Sequence, residues 1–210
     1  MTHDLIKELR ELTGSGMMEI KAALDEAKND KTKAVEILRK KGALKAGKKA
    51  DRVANEGLVE AYIHPGSRVG VLVEVNCETD FVSRTADFKN LVKELALHIA
   101  AANPLYTSIS DVPAEVVEKE KEIYKESAFA SNSAKASSDK KATADKQVSE
   151  AILAKIVEGK IAKYYEEACL MEQPYCKNPD IKVKDLIAEA VGKMGEKVVV
   201  KRFARFVLGN

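Results

Sequence analysis

Between Arg68 and Asn76 an apolar residue recurs at every second position: Val69, Val71, Val73 and Val75. An alternation this strict describes a β-strand with one buried face. Leu58–Ile63 reads as a strand before it, and His64-Pro65-Gly66-Ser67 as the four-residue turn between the two. A lone hairpin is marginal in water, so at least one more strand must join it. The best candidate lies at the far end of the chain, Lys197–Val207, which carries Val198, Val199, Val200, Phe203 and Phe206. Pairing segments so far apart in sequence ties everything between them into one core.

The rest of the pattern is helical. Three short apolar stripes precede the hairpin. Leu5, Ile6, Leu9 and Leu12 form the first, stopped by Gly14-Ser15-Gly16. Ile20, Ala23, Leu24 and Ala27 form the second, closed by Asn29-Asp30; Val35, Ile37 and Leu38 form the third, ended by Gly42. Turns this short make the helices fold back into a small bundle, too thin for a catalytic cleft and suited to binding. Beyond the hairpin, Phe88, Leu91, Val92, Leu95 and Ile99 mark a helix ending before Asn103-Pro104. Pro113-Ala114 opens an acidic helix through about Glu126, and residues 127–147 are small and polar, a mobile connection or a loosely packed helical pair. Val148, Ile152, Ile156, Val157, Ile161, Tyr164 and Tyr165 give a long amphipathic helix. Leu170–Pro179 reads as an irregular loop, and Val183–Val191 as a last helix. The expected fold is α+β: a three-helix module with a basic linker over residues 1–54, then a three-stranded antiparallel sheet packed with helices over 55–210.

Composition narrows the class. The 210 residues hold 35 Lys+Arg against 33 Asp+Glu, and 45% are hydrophobic, which argues against a chain disordered throughout. No apolar run is long enough to span a bilayer, and the N-terminus lacks a secretory pattern. Cys77, Cys169 and Cys176 are odd in number and widely spaced, which disfavours a disulfide scaffold or a structural zinc site. A reduced, cytoplasmic protein is expected. From Lys31 to Arg52 nine basic residues face two acidic ones, a local excess of +7. Two readings compete: a phosphate-binding arm for nucleic acid, or a solvated helix end and linker meeting an acidic protein surface. Residues 43–54 offer no aromatic ring to stack on a base, which weighs against the first.

No catalytic constellation emerges. Gly14-Ser15-Gly16 sits between helices and lacks the third glycine of a dinucleotide fingerprint. His3, His64 and His98 are singletons without partners at metal-ligand spacing. Neither a cofactor nor a metal is expected. Two places break the pattern. Met17-Met18 follows a glycine loop and resembles an adaptable apolar contact, although Met17 taken alone is expected to enter the core. Glu78-Thr79-Asp80-Phe81-Val82 leaves the second strand with Phe81 outside any apolar stripe. Such a ring either folds back onto the next helix or inserts into a partner, and burying it is worth roughly 1.5–3 kcal/mol.

At these residues the chain resembles the elongation factor Ts family, guanine-nucleotide exchange factors for elongation factor Tu. Leu9-Arg10-Glu11-Leu12-Thr13-Gly14-Ser15-Gly16-Met17-Met18 resembles one family signature, and Val73-Glu74-Val75-Asn76-Cys77-Glu78-Thr79-Asp80-Phe81-Val82 a second. Ala61-Tyr62-Ile63-His64, Ile156-Val157-Glu158-Gly159-Lys160, Gln173-Pro174 and Arg202-Phe203-Ala204-Arg205-Phe206 support it. The resemblance implies a helical module similar to ubiquitin-associated domains, with Leu12, Gly16, Met17 and Met18 as its contact. It also implies that Thr79, Asp80, Phe81 and Val82 displace magnesium from the partner's nucleotide site.

Two departures qualify the match. Residues 127–147 stand where the family usually has a shorter Gly-Lys-Pro link. Long relatives carry the strand-helix core twice, and one copy is found here, leaving apolar surface around Phe203 and Phe206. Short members pair two chains, so a homodimer binding two partner molecules is expected. On this account Phe81 wedges into the partner's GTPase domain, Asp80 accepts local donors, and Lys48–Arg52 steers the approach. The competing reading, a nucleic-acid binder using Lys31–Arg52, predicts steep salt dependence and indifference to Phe81. An adaptor for ubiquitin-like proteins ranks last, because it leaves three quarters of the chain unexplained.

Overall fold

The computed structural model describes residues 2–49, 51–136 and 150–209. In chain order the elements are α1 (Thr2–Thr13), α2 (Met17–Glu26), α3 (Lys31–Lys48), β1 (Glu56–Ile63), β2 (Val69–Cys77), α4 (Asp80–Ser83) and α5 (Ala86–Ala102). There follow α6 (Ala114–Ala136), α7 (Glu150–Ala168), β3 (Pro174–Tyr175), β4 (Asn178–Lys182), α8 (Val183–Met194) and β5 (Val198–Val207). Two units result, one of Met1–Asn103 with Pro174–Asn210 and one of Pro104–Gln173. Among the described residues no helix is long and apolar enough to cross a membrane.

In the first unit, α1–α3 close around Leu9, Ile20, Ala23, Leu24, Ala27, Ala34 and Leu38. The turns follow from local chemistry. Gly14 ends α1 in the left-handed region (φ 63°), with its N–H donating to the Arg10 carbonyl. Asp30 starts α3 by accepting the Lys33 N–H at 3.1 Å. Gly42 does not end the third helix as its residue type suggests, since α3 continues to Lys48. The reason is tertiary. A Cβ on Gly192 of α8 would lie 3.5 Å from the Gly42 Cα, so two glycines let the helices touch at their backbones. That packing outweighs the roughly 1 kcal/mol a glycine costs inside a helix.

The sheet has the order β1-β2-β5 and is antiparallel throughout. Val71, Val73, Val75 and Cys77 bury the inner face of β2 against α5, whose Phe88, Val92, Leu95, Ala96 and Ile99 are fully buried. Thr85 caps α5 by accepting the Phe88 N–H. Gly57 sits at φ 146°, where a Cβ would come within 2.1 Å of the Val75 carbonyl oxygen, so β1 can close on β2 only with glycine there. Phe203 lies opposite Val73 and is half-buried, so of the two phenylalanines expected to be left bare only Phe206 is.

Residues 170–179 are more ordered than their two prolines suggest. A turn of 3-10 helix at Leu170–Glu172 leads into β3, and β3 pairs antiparallel with β4. Tyr175 is what organises this hairpin: its ring tilts against buried His98 and its hydroxyl donates to Glu94. Lys177 pairs with the same carboxylate at 2.7 Å.

The second unit is a helical pair. Leu153, Val157 and Ile161 of α7 are buried, as is Ala128 of α6. The Leu105 and Tyr106 N–H groups both donate to the Ala168 carbonyl, and Leu170 N–H donates to that of Tyr106. Lys160 stands over the Tyr124 ring, 5.4 Å from its centroid. The acidic helix runs ten residues past its expected end at Glu126, to Ala136. The remainder of the low-complexity stretch, residues 137–147, lies outside the described residues.

Candidate partner-binding site

β2 delivers the chain to an exposed tip. Cys77 is buried and its thiol donates to the Thr79 carbonyl at 3.1 Å. Burial, with the Glu196 carboxylate nearby, pushes that thiol up to about 11. Asp80–Ser83 then make a single helical turn, held by Ser83 Oγ donating to the Asp80 carbonyl and by an Asp80–Arg84 ion pair at 2.7 Å. Within the chain the Asp80 carboxylate is therefore already engaged by Arg84. Phe81 is 79% exposed. Of the two fates open to this ring, folding back onto the next helix is not the one adopted. Thr79, Asp80 and Val82 beside it are half-buried.

The tip is braced from beneath. Glu78 accepts the Lys197 N–H at 2.6 Å and pairs with Arg52 at 3.2 Å. The Lys197 N–H, helped by the Arg52 guanidinium and opposed by desolvation, holds the Glu78 carboxyl below its usual range. Glu196 takes both Thr79 donors, the N–H at 3.0 Å and the hydroxyl at 2.6 Å. Sequence reasoning missed Glu78 and Glu196 as tip supports, because their partners are 119 and 117 residues away in the chain.

The helical module presents a second patch. Leu12 is 54%, Met17 56% and Met18 78% exposed, so Met17 does not enter the core; Ile20 on the next turn does. Gly16 has an ordinary φ of −65°, and a Cβ there would meet nothing within 4 Å. Among the described residues nothing requires glycine at that position.

The basic run divides. Lys31 pairs with Glu8, Lys33 with Asp30, Lys41 with Glu26 and Arg52 with Glu78. Arg39 and Lys40 line a cavity of about 340 Å³ together with Glu36, Asp180, Asp185 and Glu189. Lys49 donates to the Gly195 carbonyl. Much of the local +7 is therefore met by acids from elsewhere in the fold, and Lys49 and Arg52, expected to steer a partner, are engaged beneath the tip.

The outer face of the sheet is apolar. Register places Ala61 and Ala204 on either side of Leu72, and Ile63 and Phe206 on either side of Gly70. Val59, Ile63, Leu72 and Phe206 are exposed on it by 47–67%. A Glu74–Arg202 ion pair at 2.7 Å crosses this face.

These features sit in a chain whose relatives are legible. The family model for elongation factor TS matches residues 4–210. A protein of Heliobacterium modesticaldum named Elongation factor Ts is 54% identical over all of this chain and 91% of its own. The protein of that name from Carboxydothermus hydrogenoformans is 51% identical over all of this chain and 90% of its own. Its counterpart in a Thermoanaerobacter species is 54% identical over 98% of this chain and 93% of its own. A match that runs through the helical module, the braced tip and the closing strand alike makes this chain a member of the elongation factor Ts family.

Proposed function

We propose that this elongation factor is a guanine-nucleotide exchange factor: it binds elongation factor Tu carrying GDP and speeds GDP release, so that GTP can enter. No bond is made or broken. By linkage, the factor by which it weakens GDP is the factor by which GDP weakens it. Magnesium bridges the partner's phosphates and protein, so disturbing the metal's oxygen shell leaves phosphate charge uncompensated. Phe81 enters the partner's GTPase domain, with Thr79, Asp80 and Val82 forming the rest of the wedge. Leu12, Gly16, Met17 and Met18 anchor the module on a second patch of the same domain. Residues 1–54 thus hold the partner, while 55–210 exchange and pair, in the cytoplasm.

The observation that supports this reading most is Phe81, a ring left 79% exposed on a turn braced by two carboxylates. A bare phenylalanine on a flexible loop would fold onto any apolar surface within reach; a braced one is ready for a partner. Stopped-flow release of a fluorescent GDP from elongation factor Tu tests it. Phe81→Ala is expected to lower the maximal release rate at least about tenfold while changing the half-saturating concentration less than about threefold. Equal loss in both, or in neither, defeats the wedge.

Two copies of the chain, we further propose, pair through the outer sheet face, each engaging one partner. An exposed apolar face with four large side chains is the kind of surface that monomers rarely leave bare. The alternative, a nucleic-acid binder built on Lys31–Arg52, has less support now that four of those nine bases pair with acids of the same chain.

A further inference from the structure

Thr79 occupies the N-cap position of α4, yet its side chain caps nothing. A threonine there ordinarily turns its oxygen to the backbone N–H groups two or three residues on. Here the hydroxyl donates instead to Glu196 Oε1 at 2.6 Å, while the Thr79 N–H donates to Glu196 Oε2 at 3.0 Å. One carboxylate thereby fixes both donors of the residue that launches Asp80 and Phe81. Charge-assisted, two-point bonds of this kind are about twice as strong as neutral ones and define orientation as well as distance.

Glu196 is itself firmly placed. It follows Gly195, which ends α8 at φ 76° with its N–H donating to the Val191 carbonyl. The Gly195 carbonyl accepts from Lys49, and the residue after Glu196, Lys197, sends its N–H to Glu78 and its ammonium to the Arg52 carbonyl at 2.8 Å. One helical turn earlier Lys193 pairs with Asp87 at 3.0 Å, and its stem lies where a Cβ on Gly14 would fall. The end of α8 therefore touches the loop before Met17, the end of α3 and the tip that carries Phe81.

We propose that Glu196 is a positioning residue for nucleotide exchange: through Thr79 it holds the Asp80–Phe81 tip in the orientation that enters the partner. This rests on the exchange reading above. Glu196 touches neither partner nor nucleotide; it raises the fraction of the chain whose ring is correctly aimed. Its loss lowers the maximal rate rather than the affinity contributed by the Leu12–Met18 patch.

The test is a double-mutant cycle on GDP release from elongation factor Tu, with thermal unfolding and Thr79 amide exchange read on every variant. Glu196→Ala is expected to cut the maximal rate about tenfold, to leave half-saturation within about threefold, and to speed hydrogen exchange at Thr79. Glu196→Gln should recover most of the rate, because its amide oxygen can accept the Thr79 N–H and its NH2 can donate to the hydroxyl. On a Phe81→Ala background Glu196→Ala should add nothing. Three results overturn the proposal: full activity in Glu196→Ala, multiplicative losses in the double variant, or no rescue by glutamine in a folded protein. Failure of the exchange reading looks different, since the unsubstituted chain would then leave GDP release from elongation factor Tu unaccelerated. In that case faster exchange at Thr79 would mark Glu196 as a structural brace only, and the positioning role falls with it.

Discussion

A cysteine, a carboxylate and two glycines show how differently neighbouring residues are constrained. Cys77 is buried and its thiol is raised, Cys169 is buried, and Cys176 is exposed. A disulfide-exchange reagent at pH 8 should therefore titrate one thiol in the native protein and three after unfolding; rapid reaction of two or more would contradict this packing. Glu78 has its carboxyl held below the ordinary 4.5. A lowered value means that the ionised form is favoured by folding, so this stabilisation is complete above pH 4.5 and lost as pH falls through the lower folded value. The difference in thermal midpoint between the chain and Glu78→Gln should accordingly vanish on acidification. Gly57 and Gly16 are opposites. Gly57→Ala drives a Cβ into the Val75 carbonyl and should cost about 2 kcal/mol or more by denaturant titration. Gly16→Ala meets open space and should leave stability within about 0.5 kcal/mol, so any loss of partner binding would report the interface directly.

At the level of elements, the crossing of α3 and α8 decides how the helical module is carried. Gly42 and Gly192 meet there with only ordinary contact distances to spare. Gly192→Ala is expected to be neutral or stabilising by up to about 1 kcal/mol, because alanine is the better helix former and its methyl fits. Gly192→Leu should force the helices apart and split the thermal transition in two, as the module loses its seat. A single unshifted transition for the leucine variant would show that the contact is dispensable. The same crossing explains why Gly42 misleads in sequence. A glycine after an apolar stripe ordinarily signals a helix end, and only the facing helix reveals that it is a contact.

For the whole molecule the outer sheet face is the feature that asks for a second copy. Sedimentation at micromolar concentration should give about twice 23.0 kDa, and Leu72→Glu, which sets a charge at the centre of that face, should give the single mass with the fold intact. A wild-type monomer would remove the pairing proposal without touching the wedge. Much of the architecture was legible in advance. The Val69–Val75 alternation named the central strand, and the marginal stability of a hairpin pointed to the closing strand at the C-terminus. Phe81 stood out because it lies outside any apolar stripe, and the sequence left open whether it folds back onto the next helix or inserts into a partner. The β3–β4 hairpin was not legible, since two prolines in ten residues hide a pairing that depends on Tyr175 reaching His98 and Glu94. Met17 misled for the opposite reason: an isolated methionine is usually core, and only the packing of Ile20 leaves it outside.

The sequence by itself determined the periods: the helical stripes, one strict alternation, and an aromatic ring outside any apolar stripe. Periodicity is a property of neighbouring residues, so it survives without knowledge of the fold. Only the tertiary structure decided what braces the turn that carries that ring. Glu78 and Glu196 act on the tip through bonds to residues more than a hundred positions away, and no local pattern encodes which carboxylate a folded chain will bring beneath which turn.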